Sequence, residues 1–188
     1  MNGQIMKGMN RIILLVGLAV VLAGSTSLTT DRAAGEGPVN WITFEQALEK
    51  SKTAKKPIFI DVYTSWCGWC KVMDKNTFSD PYVAKVLNEQ FYAVKFDGEQ
   101  KEDVVFNGTT YKYVGDGSRG YHQLAAALLS NQLSYPTVVF LDEDFNLLLP
   151  LQGYRKPPEF LPFATYIGEG HFKKIAWQEF EKQFKSPY

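Results

Sequence analysis

The chain has 188 residues, of which 45% are hydrophobic, 14% aromatic and 21% charged, a globular composition that excludes disorder and low complexity. Twenty basic residues balance twenty acidic ones, so no global field points to nucleic acid or an anionic membrane as partner. Two cysteines are too few for a disulfide-stapled miniature scaffold or a four-cysteine zinc site, and the length suits one domain of ordinary size.

Residues 1–25 read as a signal peptide. Lys7 and Arg11 stand without an acid, an apolar run spans Ile12 to Ala23, and Gly24, Ser25, Thr26 and Ser27 follow. The run is shorter than the roughly 18–20 apolar residues of a membrane span. Export to an extracytoplasmic space, with no stable membrane insertion after cleavage, is therefore expected over an uncleaved anchor. Leu22-Ala23-Gly24-Ser25 is similar to a lipoprotein box with Ser where the lipidated Cys must stand, which argues against a lipid anchor. Residues 26–40 form a small-residue linker, and the domain is expected over 41–188.

Thr43 with Gln46 is a capping box, and it opens a predicted helix over 43–54. Pro57 to Tyr63 is rich in β-branched and aromatic residues and predicts a strand. A helix is predicted over Trp66 to Phe78. Ser79 or Asp80 caps the next one, which has Pro81 in its first turn and runs to about Asn88. Phe91 to Phe96 is a second strand. Asn107-Gly108 between Val104-Val105-Phe106 and Thr110-Tyr111-Lys112-Tyr113 predicts a hairpin. Gly115, Gly117 and Gly120 mark a flexible loop, and Tyr121 to Ser130 a helix. A strand over Thr137 to Leu141 turns at Glu143-Asp144 into a partner over Asn146 to Leu151. Pro158 begins a helix to about Ile167, and Phe172, Ile175, Ala176 and Phe180 form the stripe of a last one. This order implies an α/β fold, with a mixed central sheet covered on both faces.

Cys67-Gly68-Trp69-Cys70 contains both cysteines, directly after a strand and at the start of a helix. Unpaired N–H groups and the macrodipole at a helix N-terminus stabilise a thiolate, so Cys67 is expected exposed and acidic, with Cys70 deeper on the same face. Cys70 can then attack a mixed disulfide at Cys67 and release the product. A structural disulfide three residues long closes almost no loop and gains little entropy. A metal site would have to recruit His122 and His171, which stand in no ligand spacing, and haem attachment needs a His where Lys71 stands. No metal and no cofactor is expected. Asp61 lies in an apolar strand. If buried, its carboxyl is costly to ionise and suited to taking a proton from Cys70; on the other face it is a surface residue.

The stretch Phe59-Ile60-Asp61-Val62-Tyr63-Thr64-Ser65-Trp66-Cys67-Gly68-Trp69-Cys70-Lys71 resembles the active-site strand and helix of the thioredoxin superfamily. Met73-Asp74-Lys75-Asn76-Thr77-Phe78-Ser79-Asp80-Pro81 is more similar to one branch. That branch is the periplasmic thioredoxin-like proteins akin to the C-terminal domain of bacterial thiol:disulfide interchange proteins. The resemblance covers about residues 41–168 and implies a thioredoxin fold. An insertion at about 98–131 precedes the cis-Pro strand, and a helical extension at about 170–186 ends the chain. It implies that Asp61 is the buried acid, that Lys95 lies near it, and that Pro136 is cis and packs on the disulfide. Tyr135 would pair its backbone with substrate, and Gly153 would lie beside the site. Trp66, Gly68 and Trp69 are expected to contact substrate: the family has Trp at 66, where packing alone would also account for it, and Trp69, which departs from the Pro of thioredoxin itself, offers an exposed aromatic to protein substrates. From the residues alone, Lys95 could equally be a solvated strand end and Pro136 an ordinary trans residue.

The expected function is an exported, periplasmic thiol–disulfide oxidoreductase. Catalysis is expected from Cys67, Cys70 and Asp61, acting on protein thiols and disulfides. Gly68-Trp69 carries no charge and no His to depress the Cys67 thiol further, which favours a reductase over an oxidase. A reductase in that compartment needs resupply, and a membrane electron donor is the natural source. The rivals are a binding or chaperone module with a locked disulfide, and a metallochaperone using the two thiolates.

Overall fold

A computed structural model describes residues 38–116 and 119–188. The expected leader, 1–25, and the linker up to residue 37 lie outside the described residues. Residues 39 and 40, assigned to the linker from sequence, already belong to the fold. Val39 is 5% exposed in the core, and Asn40 N–H donates to Asn88 Oδ1 at 2.7 Å.

The central sheet is built on β1 (Ile58–Tyr63), whose apolar run is buried along almost its whole length. Its neighbours are β2 (Tyr92–Asp97), parallel, and β7 (Thr137–Leu141), antiparallel. The latter pairs with the edge strand β8 (Leu147–Gln152), giving the order β2-β1-β7-β8. Pro150 sits in β8, where a missing N–H is tolerated because no further strand pairs there. This is the mixed α/β sheet that the element order implies.

Alternation along β1 sends Phe59 and Asp61 to one face and Ile58, Ile60 and Val62 to the other. The first face packs on α2 (Gly68–Asn76), α3 (Pro81–Gln90) and α5 (Pro157–Gly168) through Met73, Val83, Leu87, Phe160 and Ala164. The second packs on α1 (Phe44–Ser51) and α4 (Gln123–Leu128) through Phe44, Ala47, Leu124 and Leu128. Thr43 and Gln46 close the predicted capping box, with reciprocal bonds of 2.9 and 3.2 Å. No helix among the described residues is long and apolar enough to cross a membrane.

Phe59 centres the first face, with ring centroids of Phe140, Phe160 and Phe78 at 5.3, 5.6 and 5.7 Å. Phe59→Ala should lower the unfolding free energy by about 3–5 kcal/mol, read as a drop in the urea midpoint at unchanged slope.

The insertion departs from its sequence reading. The Asn-Gly hairpin is present as β3 (Val104–Phe106) and β4 (Thr109–Tyr111), and both turn residues have positive φ, Asn107 at 49° and Gly108 at 75°. The expected flexible loop at Gly115–Gly120 is instead a second hairpin, β5 (Tyr113–Asp116) with β6 (Arg119–His122). Gly120 marks close approach rather than a loop, since a Cβ there would run into the Tyr113 ring and the Val114 carbonyl. Tyr121 and His122 therefore belong to a strand, not to the predicted helix. That helix starts only at Gln123 because the His122 ring caps it, Nδ1 accepting from Leu124 N–H at 3.1 Å.

The C-terminal stripe is also broken. A 3-10 turn at His171–Lys173 precedes α6 (Trp177–Gln183), so Ile175 and Ala176 fall in the gap between them. Ala176 keeps extended backbone angles, φ −69° and ψ 152°, as the N-cap of α6, so the helix does not run back through Ile175.

Candidate active site

The two cysteines meet where β1 ends. Thr64 follows the strand, its carbonyl accepting from Cys67 N–H at 3.1 Å, and Cys67 is the N-cap of α2. The predicted helix start at Trp66 moves to Gly68, because Cys67 keeps extended backbone angles and turns its Sγ onto the Cys70 N–H at 3.1 Å. Cys67 and Cys70 form a disulfide with S–S 2.06 Å and Cα–Cα 5.3 Å. The expected contrast between an exposed Cys67 and a deeper Cys70 is absent in this oxidised form. They are 4% and 2% exposed, because capping and the disulfide both fold the Cys67 sulfur back over the helix end.

Asp61 is 1% exposed, on the sheet face that α2 covers. It lies opposite Lys95 in the β1–β2 register, and Lys95 Nζ donates to Asp61 Oδ2 at 2.6 Å. Asp61 Oδ1 is buried with no hydrogen-bond partner among the described residues. Loss of hydration is the dominant influence, and it outweighs the Lys95 charge, so the Asp61 carboxyl is pushed up to about 6. Lys95 keeps part of its water. Burial alone would lower it, but the carboxylates of Asp61 and Asp74 hold it above the ordinary lysine value. Its ammonium also lies 4.9 Å from the Trp41 ring centre and 5.1 Å from that of Tyr63.

Asp74, which the sequence reading passed over, is the second carboxylate on Lys95. It stands on α2 one turn beyond Cys70, so the ion network runs from β1 through β2 to the cysteine helix. The spacing of four from Cys70 is the signal that could have found it.

The remaining candidates surround the disulfide. Trp66 and Trp69 are 65% and 61% exposed. Trp66 packs edge-on against Tyr135, at 5.9 Å between ring centres, and Trp69 lies against Tyr154 at 5.4 Å. A Cβ on Gly68 would meet nothing within 4 Å, so the space over the helix start is open. Pro136 follows a cis Tyr135–Pro136 bond and directly precedes Thr137, which pairs with Val62. That register brings it to the strand end from which the Cys67 turn departs. Gly153, at φ 85°, donates its N–H to the Pro136 carbonyl at 2.8 Å. Tyr154 and Glu99, the latter an acceptor for the Trp66 indole, carry no sequence signal, since only folding brings them to the cysteines.

The family model Thioredox_DsbH, described as a protein of unknown function, DUF255, matches residues 22–154. The chain is 43% identical over 68 residues to the uncharacterized protein B0495.5 of Caenorhabditis elegans. It is 45% identical over 53 residues to the thiol:disulfide interchange protein DsbD of Vibrio vulnificus. These segments are 36% and 28% of this chain but 9% of each relative, so the chain spans only a small part of the relatives it matches. A solved DsbH oxidoreductase is similar at TM-score 0.52 and 19% identity, over 73% of this chain and 90% of that one. A thioredoxin from Thermus thermophilus is similar at TM-score 0.51 and 20% identity, over 74% and 99%. At such identities the likeness speaks for the fold alone. With the family model covering more than half of its residues, the chain belongs to the Thioredox_DsbH family and has the thioredoxin fold.

Proposed function

We propose that the protein is an exported thiol–disulfide oxidoreductase that reduces disulfides in other proteins. The observation that carries this reading is the Cys67–Cys70 pair at the start of α2, on the sheet face that buries Asp61 with one carboxylate oxygen lacking a partner among the described residues. The leader pattern of residues 1–25 supports export, and the name of the interchange relatives supports the reaction class.

In the reductive direction the Cys67 thiolate attacks one sulfur of a substrate disulfide, forming a mixed disulfide and expelling a substrate thiolate. Cys70 gives its proton to Asp61, and its thiolate attacks the Cys67 sulfur. The second substrate thiolate leaves, Cys67–Cys70 closes, and two electrons have passed to the substrate. The open space over Gly68 and the two exposed tryptophans leave room for a protein segment at the disulfide. Tyr135, before the cis-proline, offers backbone for such a segment to pair with. A dithiol protein in the membrane would restore the reduced pair.

The test is the reduction potential, read by alkylating both cysteines in glutathione or dithiothreitol buffers. A value near about −270 mV is expected for a reductase. A value above about −150 mV would overturn the reductive direction, and a pair that does not cycle would overturn the activity itself.

A further inference from the structure

The aromatic wall on the Trp66 side of the disulfide carries a fixed negative charge. Trp66 is exposed, yet its indole N–H is committed to Glu99 Oε1 at 3.0 Å. Glu99 is held from behind as well, since its own N–H donates to Asp97 Oδ1 at 2.9 Å. Between them, Gly98 is fastened on both sides: its N–H donates to the Tyr63 carbonyl at 2.8 Å, and its carbonyl accepts from His122 N–H at 2.7 Å. The Tyr135 ring lies on this glycine so closely that a Cβ there would fall 2.5 Å from the phenol oxygen. One rigid unit therefore joins the residue before Cys67, the residue before the cis-proline and the first turn of the insertion.

Asp97 and Glu99 are both half-buried, with the Glu99 N–H on the Asp97 carboxylate and the Trp66 indole N–H on the Glu99 carboxylate. Their charges are felt at Tyr135, whose phenol is pushed up to about 12, by burial first and then by Glu99 and Asp97. A cation arriving here would meet a carboxylate and two aromatic rings together, each of which attracts it.

We propose that Glu99 is a specificity determinant that selects, among substrate segments, those with lysine or arginine beside the reactive cysteine. This rests on the oxidoreductase reading and names the substrate class for the same site. The apolar part of the segment lies on Trp66 and Trp69, and the basic side chain lies along Trp66 toward Glu99.

The experiment uses the dithiothreitol-reduced protein, freed of reductant, and three disulfide-linked peptide dimers. They are identical except for Arg, Gln or Glu next to the cysteine. Each turnover converts the protein dithiol to its disulfide and one peptide dimer to two thiols, and the rate is followed by thiol release. The Arg peptide should react about fivefold to thirtyfold faster than the Glu peptide at low salt, and the ratio should fall toward one in 1 M NaCl. In Glu99→Gln, which keeps an acceptor for the Trp66 indole, the ratio should also fall to about one. An unbiased wild type, or an unchanged ratio in Glu99→Gln, would overturn the assignment. If no peptide is reduced, the Gln peptide included, the oxidoreductase reading fails and the assignment falls with it.

Discussion

Cys70→Ser should turn the protein from a catalyst into a covalent trap. In the proposed sequence Cys67 forms the mixed disulfide and Cys70 resolves it from within the same helical turn. Removing Cys70 leaves only external thiol to release the substrate. An intramolecular attack by a group already in place outruns a millimolar external one, so release should slow on the order of a thousandfold or more. Substrates should then appear as higher-mass bands on non-reducing gels that vanish with dithiothreitol. Cys67→Ser should trap nothing, because in the proposed sequence Cys67, the N-cap of α2, is the thiol that attacks the substrate and Cys70 only resolves. If Cys70→Ser is alkylated readily at Cys67 yet forms no mixed disulfide with any disulfide substrate, the exchange mechanism is wrong.

Asp61→Asn should stabilise the fold and impair the chemistry. The carboxyl stands at about 6 in the folded chain against an ordinary 3.8, chiefly because burial disfavours its charge. A raised carboxyl means that the unfolded chain loses its proton first. The folded state therefore keeps its full relative stability below about pH 4 and loses it as pH rises to and through 6. The shift corresponds to about 3 kcal/mol. Asp61→Asn, which carries no charge at any pH, should gain about 2–3 kcal/mol over wild type at pH 7.5 relative to pH 4. Lys95 keeps Asp74 and the Trp41 and Tyr63 rings as partners, so the substitution leaves no isolated ammonium. Urea unfolding of the oxidised protein at the two pH values measures this.

Resolution of the mixed disulfide should slow on the order of a hundredfold in the same variant, because Cys70 loses its proton acceptor. In wild type that step should accelerate as pH rises through about 6 and the carboxylate becomes able to accept a proton. Loss of that inflection in Asp61→Asn separates a proton-transfer role from a structural one. An unchanged profile would remove Asp61 from the mechanism.

Local chemistry decided much of this protein in the sequence itself. The Thr43–Gln46 box, the Asn107-Gly108 turn and the strand read from Pro57 to Tyr63, which forms over Ile58–Tyr63, each depend on neighbours within a few residues, and short-range geometry leaves them little freedom. The pairing of Cys67 with Cys70 is legible for the same reason: three residues at a helix start can scarcely avoid each other. Where glycine alone was the signal, the reading failed. Gly115 and Gly120 permit a loop and a tight hairpin equally, and only the Tyr113 ring and the Val114 carbonyl across the strand pair select the hairpin.

The tertiary structure decided whatever depends on burial and on distant partners. Asp61 could have faced water, but the packing of α2, α3 and α5 on its side of the sheet removes its hydration and sets its proton affinity. Lys95 could have been a solvated strand end, but the parallel β1–β2 register places it opposite Asp61, with Asp74 of α2 completing the network. Glu99 and Tyr154 reach the tryptophans only because the insertion and the β8–α5 connection fold to the same end of the sheet. Hydration and Coulomb energies are fixed by three-dimensional neighbours, so the sequence determines which groups can do chemistry here, and the packing determines in which protonation state and toward which partner they do it.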